Sequence, residues 1–319
     1  MLRNALIALL IAMLGIATAA AQSYPSRPVR LIVPYAPGGL GDVLGRLLAQ
    51  RLSESLGQQF LVENRAGAAG TLGSAVVARA APDGHTLLLA IDNHATNPHL
   101  FKTLDYNTLS DFAPVSLLVR GPMLLVVRSK FPVNNIAEFM QYARARPGAI
   151  NFATAGTGSP GRLALESLKY ATGLDLTGVN YKGAGPAMSD LIGDQVDMMF
   201  STVPTVAPHL KQGRLKLIAI TSERRNDIAP GVPALSETVP GYAAEVWAGL
   251  FAPAKTSPAI IELLHGETSR FLLSGELRSR LQELGLEPVG SKPAELQAWV
   301  QSQLQRWGRI IQAQRIALD

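Results

Sequence analysis

VRLIVPYAPGGLGDVLGRLLAQRL, residues 29–52, reads as three pieces in succession. Residues 29–33 are a β-branched run that predicts a strand. Residues 34–41 hold two prolines and three glycines and predict a loop. Beyond it Val43, Leu44, Leu47, Leu48 and Leu52 recur at helical spacing, so a helix with one buried face is predicted. Asp42 stands where an N-cap belongs, with a carboxylate able to accept from the first helical N–H groups. Gly38, Gly39 and Gly41 allow a ligand to approach the backbone closely. A strand, a glycine loop and a helix N-terminus together present N–H groups and the positive end of a helix dipole to an anion. The same three pieces also make a tight βα connection that binds nothing, and this stretch alone leaves both readings open.

The rhythm recurs along the chain. Strands are predicted at 60–62 and 86–90, a glycine turn at 67–70 and a helix at 72–80. Residues 92–98 are read as a loop at the carboxyl end of a strand, where open α/β sheets bind ligands. Strands at 115–119 and 123–127 flank Gly121-Pro122, and a helix spans 136–145. The opening arrangement then returns: strand 150–153, loop 154–159, helix from Pro160 to about Thr172, with Ser159 as N-cap and Pro160 in the first helical position. A strand ends at Tyr181, and a turn at 182–185 leads to a helix to Ile192. Strands at 196–200 and 215–220 bracket another helix; residues 221–242 look irregular. A strand at 246–252 precedes a helical tail. Alternating strands and helices imply a parallel-rich α/β sheet. The two glycine-loop units lie about 120 residues apart, which predicts two similar lobes aiming helix N-termini at one cleft.

Residues 1–21 carry Arg3, a short apolar core and an A-x-A ending before Gln22, and so predict an unlipidated secretory signal peptide. The core is too short for a comfortable membrane span. The chain has no cysteine, which excludes disulfides, thiolate metal sites and cysteine nucleophiles. Net charge is +5, or +4 once the one arginine of the leader is removed. Lys and Arg are scattered without a dense basic run, so nucleic acid is not an expected partner. About 300 residues is a prior for two domains.

Enzyme motifs fall short of their templates. Gly39-Leu40-Gly41 with Gly45 misses the G-x-G-x-x-G spacing of dinucleotide sites, and no G-K-[ST] follows the loop. Thr157-Gly158-Ser159-Pro160-Gly161 lacks the first glycine of a nucleophile elbow, and a cap accounts for Ser159 better. An exported serine hydrolase is the alternative reading. Of the five histidines only His94 and His99 are near each other, and Pro98 argues against one helical face for a metal. No catalytic residue, metal ligand or cofactor is expected.

Several ordered motifs carry a family resemblance. They are Pro34-Tyr35-Ala36-Pro37-Gly38-Gly39-Leu40-Gly41-Asp42, Val62-Glu63-Asn64-Arg65-Ala66-Gly67, Ala81-Pro82-Asp83-Gly84-His85, Asn93-His94-Ala95-Thr96-Asn97-Pro98, Tyr181-Lys182-Gly183-Ala184-Gly185, Gly193-Asp194-Gln195-Val196-Asp197 and Trp247-Ala248-Gly249-Leu250-Phe251. The chain resembles the Bug-type periplasmic solute-binding receptors of the tripartite tricarboxylate transporter family. The resemblance implies a two-lobed α/β periplasmic binding fold (type II-like), each lobe a parallel-rich sheet flanked by helices, with a cleft between. On that division residues 22–120 and 246–319 form lobe 1 and residues 121–245 form lobe 2. It implies a periplasmic receptor for a small carboxylate: a di- or tricarboxylate, acidic amino acid or aromatic acid. The implied partners are that ligand and a two-component membrane permease or a sensor protein, with the receptor a monomer. Carried onto this sequence, the ligand site comprises Tyr35, Ala36, Gly38, Gly39, Leu40, Gly41 and Asp42 from the first loop. Ala155, Gly156, Thr157, Gly158 and Ser159 face them, supported by Asn93, His94, Lys182, Gly183, Ala184 and Ser201. Two positions depart from the family pattern. Gly161-Arg162 stands where a histidine often follows the second loop, and Ser201 where an acid or asparagine is common. Arg162 is read either as a cation for a second carboxylate or as an exposed residue of a first helical turn.

Overall fold

The structure, a computed structural model, describes residues 24–316 apart from Ala36, Gly38, Gly39, Thr157, Lys182 and the side chain of Glu276. The predicted signal peptide lies outside the described residues. β1 (Val29–Val33) leads into α1 (Leu40–Leu56), β2 (Phe60–Asn64) into a 3-10 turn (Ala68–Gly70) and α2 (Thr71–Ala78), and β3 (Thr86–Ile91) into α3 (Asn93–Leu100). Next come β4 (Phe112–Pro122), β5 (Leu124–Arg128), α4 (Ile136–Arg144), β6 (Asn151–Thr154) and α5 (Pro160–Thr172). β7 (Thr177–Asn180), α6 (Ala184–Ile192), β8 (Met198–Ser201), α7 (Val203–Lys211) and β9 (Leu215–Ile220) follow. The chain closes with β10 (Glu245–Pro253), α8 (Pro258–Leu272), α9 (Gly275–Glu283), β11 (Glu287–Pro288) and α10 (Pro293–Ala313). Among the described residues no helix is long and apolar enough to cross a membrane.

Two sheets form, one of six strands in the order β11-β4-β10-β3-β1-β2 and one of five in the order β7-β6-β8-β5-β9. β1 pairs in parallel with β2 and β3, and β6 in parallel with β7 and β8. In each triplet the first strand lies between the two that follow it. The connections therefore diverge at β1 and at β6, and each is a switch point whose carboxyl end opens a crevice.

The sheets are mixed rather than parallel-rich. β5 is antiparallel to β8 and β9, and β10 is antiparallel to β3 and β4. The reason is the crossing. β4 ends at Pro122, and β5 begins at Leu124 opposite Ser201, the last residue of β8. A strand that enters a sheet at the edge where the parallel strands end must run against them. The chain crosses between sheets at Met123 and again over 221–244. Thr221, fully buried, joins the two crossings. Its hydroxyl accepts from the Met123 N–H at 2.7 Å and donates to the Ala244 carbonyl at 2.6 Å. Backbone bonds Thr221 N→Met123 O (3.0 Å) and Ala244 N→Thr221 O (2.9 Å) complete the clasp. On one flank α10 packs on α3 and β4 and also reaches α5 beyond the crossing.

The helical stripe of the opening stretch is buried as its spacing predicts: Leu44, Leu48 and Leu52 are each 1% exposed. α1 lies close against β1 because Gly45 faces the strand. A Cβ there would stand 2.9 Å from Val33 Cγ2, and Val33 is fully buried. Helix propensity favours alanine by about 1 kcal/mol, but crowding a packed core costs about 1–3 kcal/mol. Gly45→Ala is therefore expected to lower the urea midpoint. A raised midpoint would mean slack between α1 and β1.

Two local expectations are corrected. α1 begins at Leu40, so Asp42 lies inside the first turn and is not the N-cap; its carboxylate meets Arg46 at 2.9 Å, one turn on. Residues 92–98 are expected as a loop, but Asn93–Leu100 form α3 with Pro98 inside it. Pro98 cannot donate to the His94 carbonyl four residues back. Thr108 Oγ1 donates to it instead, at 3.2 Å.

Candidate functional site

The carboxyl ends of the parallel strands in both sheets open toward the crossings. Val33 of β1 pairs with Asn64, and Ile91 of β3 lies opposite Ala248 of β10. Glu245, the first residue of β10, lies opposite Pro122. In the other sheet Thr154 of β6 pairs with Asn180, and Ser201 with Leu124. Helix N-termini follow these ends on both sides: α1 and α3 in one lobe, α5, α6 and α7 in the other. Each presents orphan N–H groups and the positive end of a dipole.

In the first lobe Tyr35 joins the loops. Its hydroxyl accepts from Ile91 N at 3.3 Å, and its carbonyl accepts from Asn64 Nδ2 at 3.0 Å. Burial holds the phenol far above its ordinary pKa. The ring fills the space over Gly41 and Gly70, where an added Cβ would meet it at 3.1 Å in each case. Gly41 therefore serves packing against Tyr35. Ala36, Gly38 and Gly39 lie outside the described residues. Leu40 opens α1, and Asp42, 5% exposed, sits beneath it paired with Arg46. Arg46 also reaches Asn64 Oδ1 at 3.4 Å.

Asn93 is half-buried in the first turn of α3. His94 is not at the cleft, contrary to the sequence expectation. It is 2% exposed and enclosed by Tyr106, Phe112 and Phe251. Neither ring nitrogen has a partner among the described residues, and burial pushes its pKa down to about 3. Asp92, which sequence reasoning passed over, is buried at the end of β3 and accepts from Trp247 N at 3.4 Å. Burial pushes its pKa up to about 6. An acid directly after the apolar run of β3 was the available signal.

The second lobe repeats the pattern. Ser159 caps α5: its hydroxyl donates to Gly156 O at 2.7 Å and accepts from Arg162 N at 3.3 Å. The bond from Arg162 N is that of a helix cap, the role the sequence assigns it. Gly156 has φ +122°, and an added Cβ would lie 3.6 Å from Tyr181 O, so the loops after β6 and β7 touch. Ala155 and Gly158 are half-buried there, and Thr157 and Lys182 lie outside the described residues. Gly183, at φ +121°, precedes α6, which starts at Ala184. Ser201 is buried at the end of β8. Gly161 lets α5 approach β8: an added Cβ would lie 2.8 Å from Phe200 O. Arg162 is neither exposed nor uncommitted. It pairs with buried Glu166 at 2.8 Å and donates to Asn180 Oδ1 at 3.3 Å.

The lobes meet at the start of α1 and α7. Leu40 and Val43 share one cavity with Thr202 and Thr205. Thr202 directly follows Ser201, so the edges of the first loop and of β8 come together.

The sequence profile of the family described as "Tripartite tricarboxylate transporter family receptor" matches residues 44–316. "Protein BugT" of Bordetella pertussis is 36% identical over 311 residues, covering 96% of this chain and 95% of that one. Among solved structures, "R. palustris Rpa4515 with adipate" is similar with TM-score 0.80 and 35% identity, covering 92% of this chain and 100% of that one. "MatC (Rpa3494) from Rhodopseudomonas palustris with bound malate" has TM-score 0.75 and 36% identity, covering 90% and 100%.

Proposed function

Because the chain belongs to the tripartite tricarboxylate transporter family of receptors, we propose that it captures a small organic carboxylate between its two lobes in the periplasm. The observation that carries this reading is the matched pair of switch points: β1 and β6 each end in a loop and a helix N-terminus, and both ends open toward the same crossings. Backbone N–H groups and two helix dipoles suit a carboxylate. In this reading residues 22–120 and 246–319 act as one lobe and 121–245 as the other. The loops at 35–42 and 155–159 hold the anion, with Asn93, the 182–184 turn and Ser201 at the rim. Tyr35 and Asp42 act from below, by fixing the first loop and α1. An N-terminal leader removed near Gln22 would deliver the protein to the periplasm, and a two-component permease or a sensor protein would receive its ligand.

A thermal-shift screen tests the substrate class. A ligand at a hundredfold excess over Kd stabilises the folded state by about 2.7 kcal/mol. Organic carboxylates are expected to raise the melting temperature while neutral sugars and divalent metals leave it unchanged. The reverse pattern would remove the carboxylate reading.

A further inference from the structure

Resting on the carboxylate-receptor reading, we infer that the ligand is a monocarboxylate with an apolar body, an aryl or alkyl acid, whose hydrocarbon part fills the cavity between α1 and α7. The cavity measures ≈ 270 Å³. An apolar cavity of about 150 Å³ takes up benzene, so this one has room for a ring with substituents or a chain of several carbons. Its walls are apolar: Leu40 and Val43 of α1, Pro122 and Val246 at the crossings, and Leu286 just before β11. The polar side chains that line it are Thr202 and Thr205, whose hydroxyls bond each other at 3.2 Å. Two of its lining residues adjoin the anion-holding segments in sequence. Leu40 directly follows the glycines of the first loop, and Thr202 directly follows Ser201.

Among the described residues no charged side chain lines this space. The arginines at the starts of the two loop-following helices are engaged elsewhere, Arg46 with Asp42 and Arg162 with Glu166 and Asn180. A second carboxylate placed in the cavity would lose its water and find only two neutral hydroxyls, one of them already donating to the other, an arrangement that disfavours it. A methylene buried there instead improves affinity about fourfold.

Calorimetric titration of the purified protein decides the matter, with benzoate, cyclohexanecarboxylate and octanoate set against succinate, malate, adipate and citrate. At least one of the first three is expected to bind more than tenfold tighter than any of the last four. Val43→Asp and, independently, Thr205→Glu place a charge in the cavity and are expected to weaken that ligand more than tenfold, with circular dichroism confirming that each variant is folded. Tighter binding of a di- or tricarboxylate would overturn this inference and leave the receptor reading standing. A preferred monocarboxylate whose affinity is unchanged in both folded variants would also overturn it, by moving the apolar body elsewhere. If no carboxylate of either set binds, the receptor reading fails together with it.

Discussion

Thr221→Val is expected to lower the stability of the protein by about 2–6 kcal/mol. The substitution keeps shape and volume and removes only the hydroxyl. Two backbone groups then lose their partner: the Met123 N–H, held at 2.7 Å, and the Ala244 carbonyl, held at 2.6 Å. Each buried group left unsatisfied costs about 1–3 kcal/mol, and Thr221 is 0% exposed. Thr221→Ser keeps the hydroxyl and gives up one methyl, so it is expected to cost only about 1 kcal/mol. Because Thr221 joins both crossings, the valine variant is also expected to bind its carboxylate at least tenfold more weakly. Urea denaturation followed by titration measures both effects. A valine variant with the wild-type midpoint would mean that the backbone bonds hold the crossings without the side chain.

The second large effect is a pair of opposed pH dependences. His94 has a folded pKa near 3 against 6.5 when free. Its contribution is complete above pH 6.5 and is lost as pH falls, because the unfolded chain takes the proton and the folded one does not. Between pH 7.5 and 4.5 the loss is about 3 kcal/mol. Asp92 has a folded pKa near 6 against 3.8 when free. Here the folded state takes the proton first, so stability grows as pH falls through 6, by about 2 kcal/mol at pH 4.5. In the wild type these two contributions nearly cancel. His94→Phe is therefore expected to gain about 3 kcal/mol relative to wild type on going from pH 7.5 to 4.5, and Asp92→Asn to lose about 2 kcal/mol. Urea unfolding of the three proteins at both pH values gives the comparison. If the differences from wild type stay constant with pH, burial does not set these two titrations.

Most of the architecture was legible because the chain punctuates it. Short apolar runs give strands such as β1 and β3, glycines mark the loops at 67–70 and 154–159, and Ser159-Pro160 marks the start of α5 as placed. What escaped was whatever depends on a distant partner. Pro98 reads as a break until Thr108 is seen to satisfy the carbonyl it frees. His94 reads as a cleft residue until Tyr106, Phe112 and Phe251 close around it. Thr221 looks like an ordinary residue after a strand, since its partners stand 98 and 23 positions away. The mixed sheets escaped for a related reason: periodicity reports that a strand is buried, not which way it runs.

α10 reaches from α3 and β4 across to α5. A pair of lobes strapped along one flank turns like a book about its spine. Points near the strap hardly travel, and points on the opposite rim travel furthest, in proportion to their distance from it. Tyr170 and Arg309 border one pocket beside the strap, so a motion of that kind would leave them much the same. A partner that must tell a loaded receptor from an empty one gains nothing by touching that spine. On such a motion the difference between loaded and empty would show at the fore-edge, which is where a partner would have to read it.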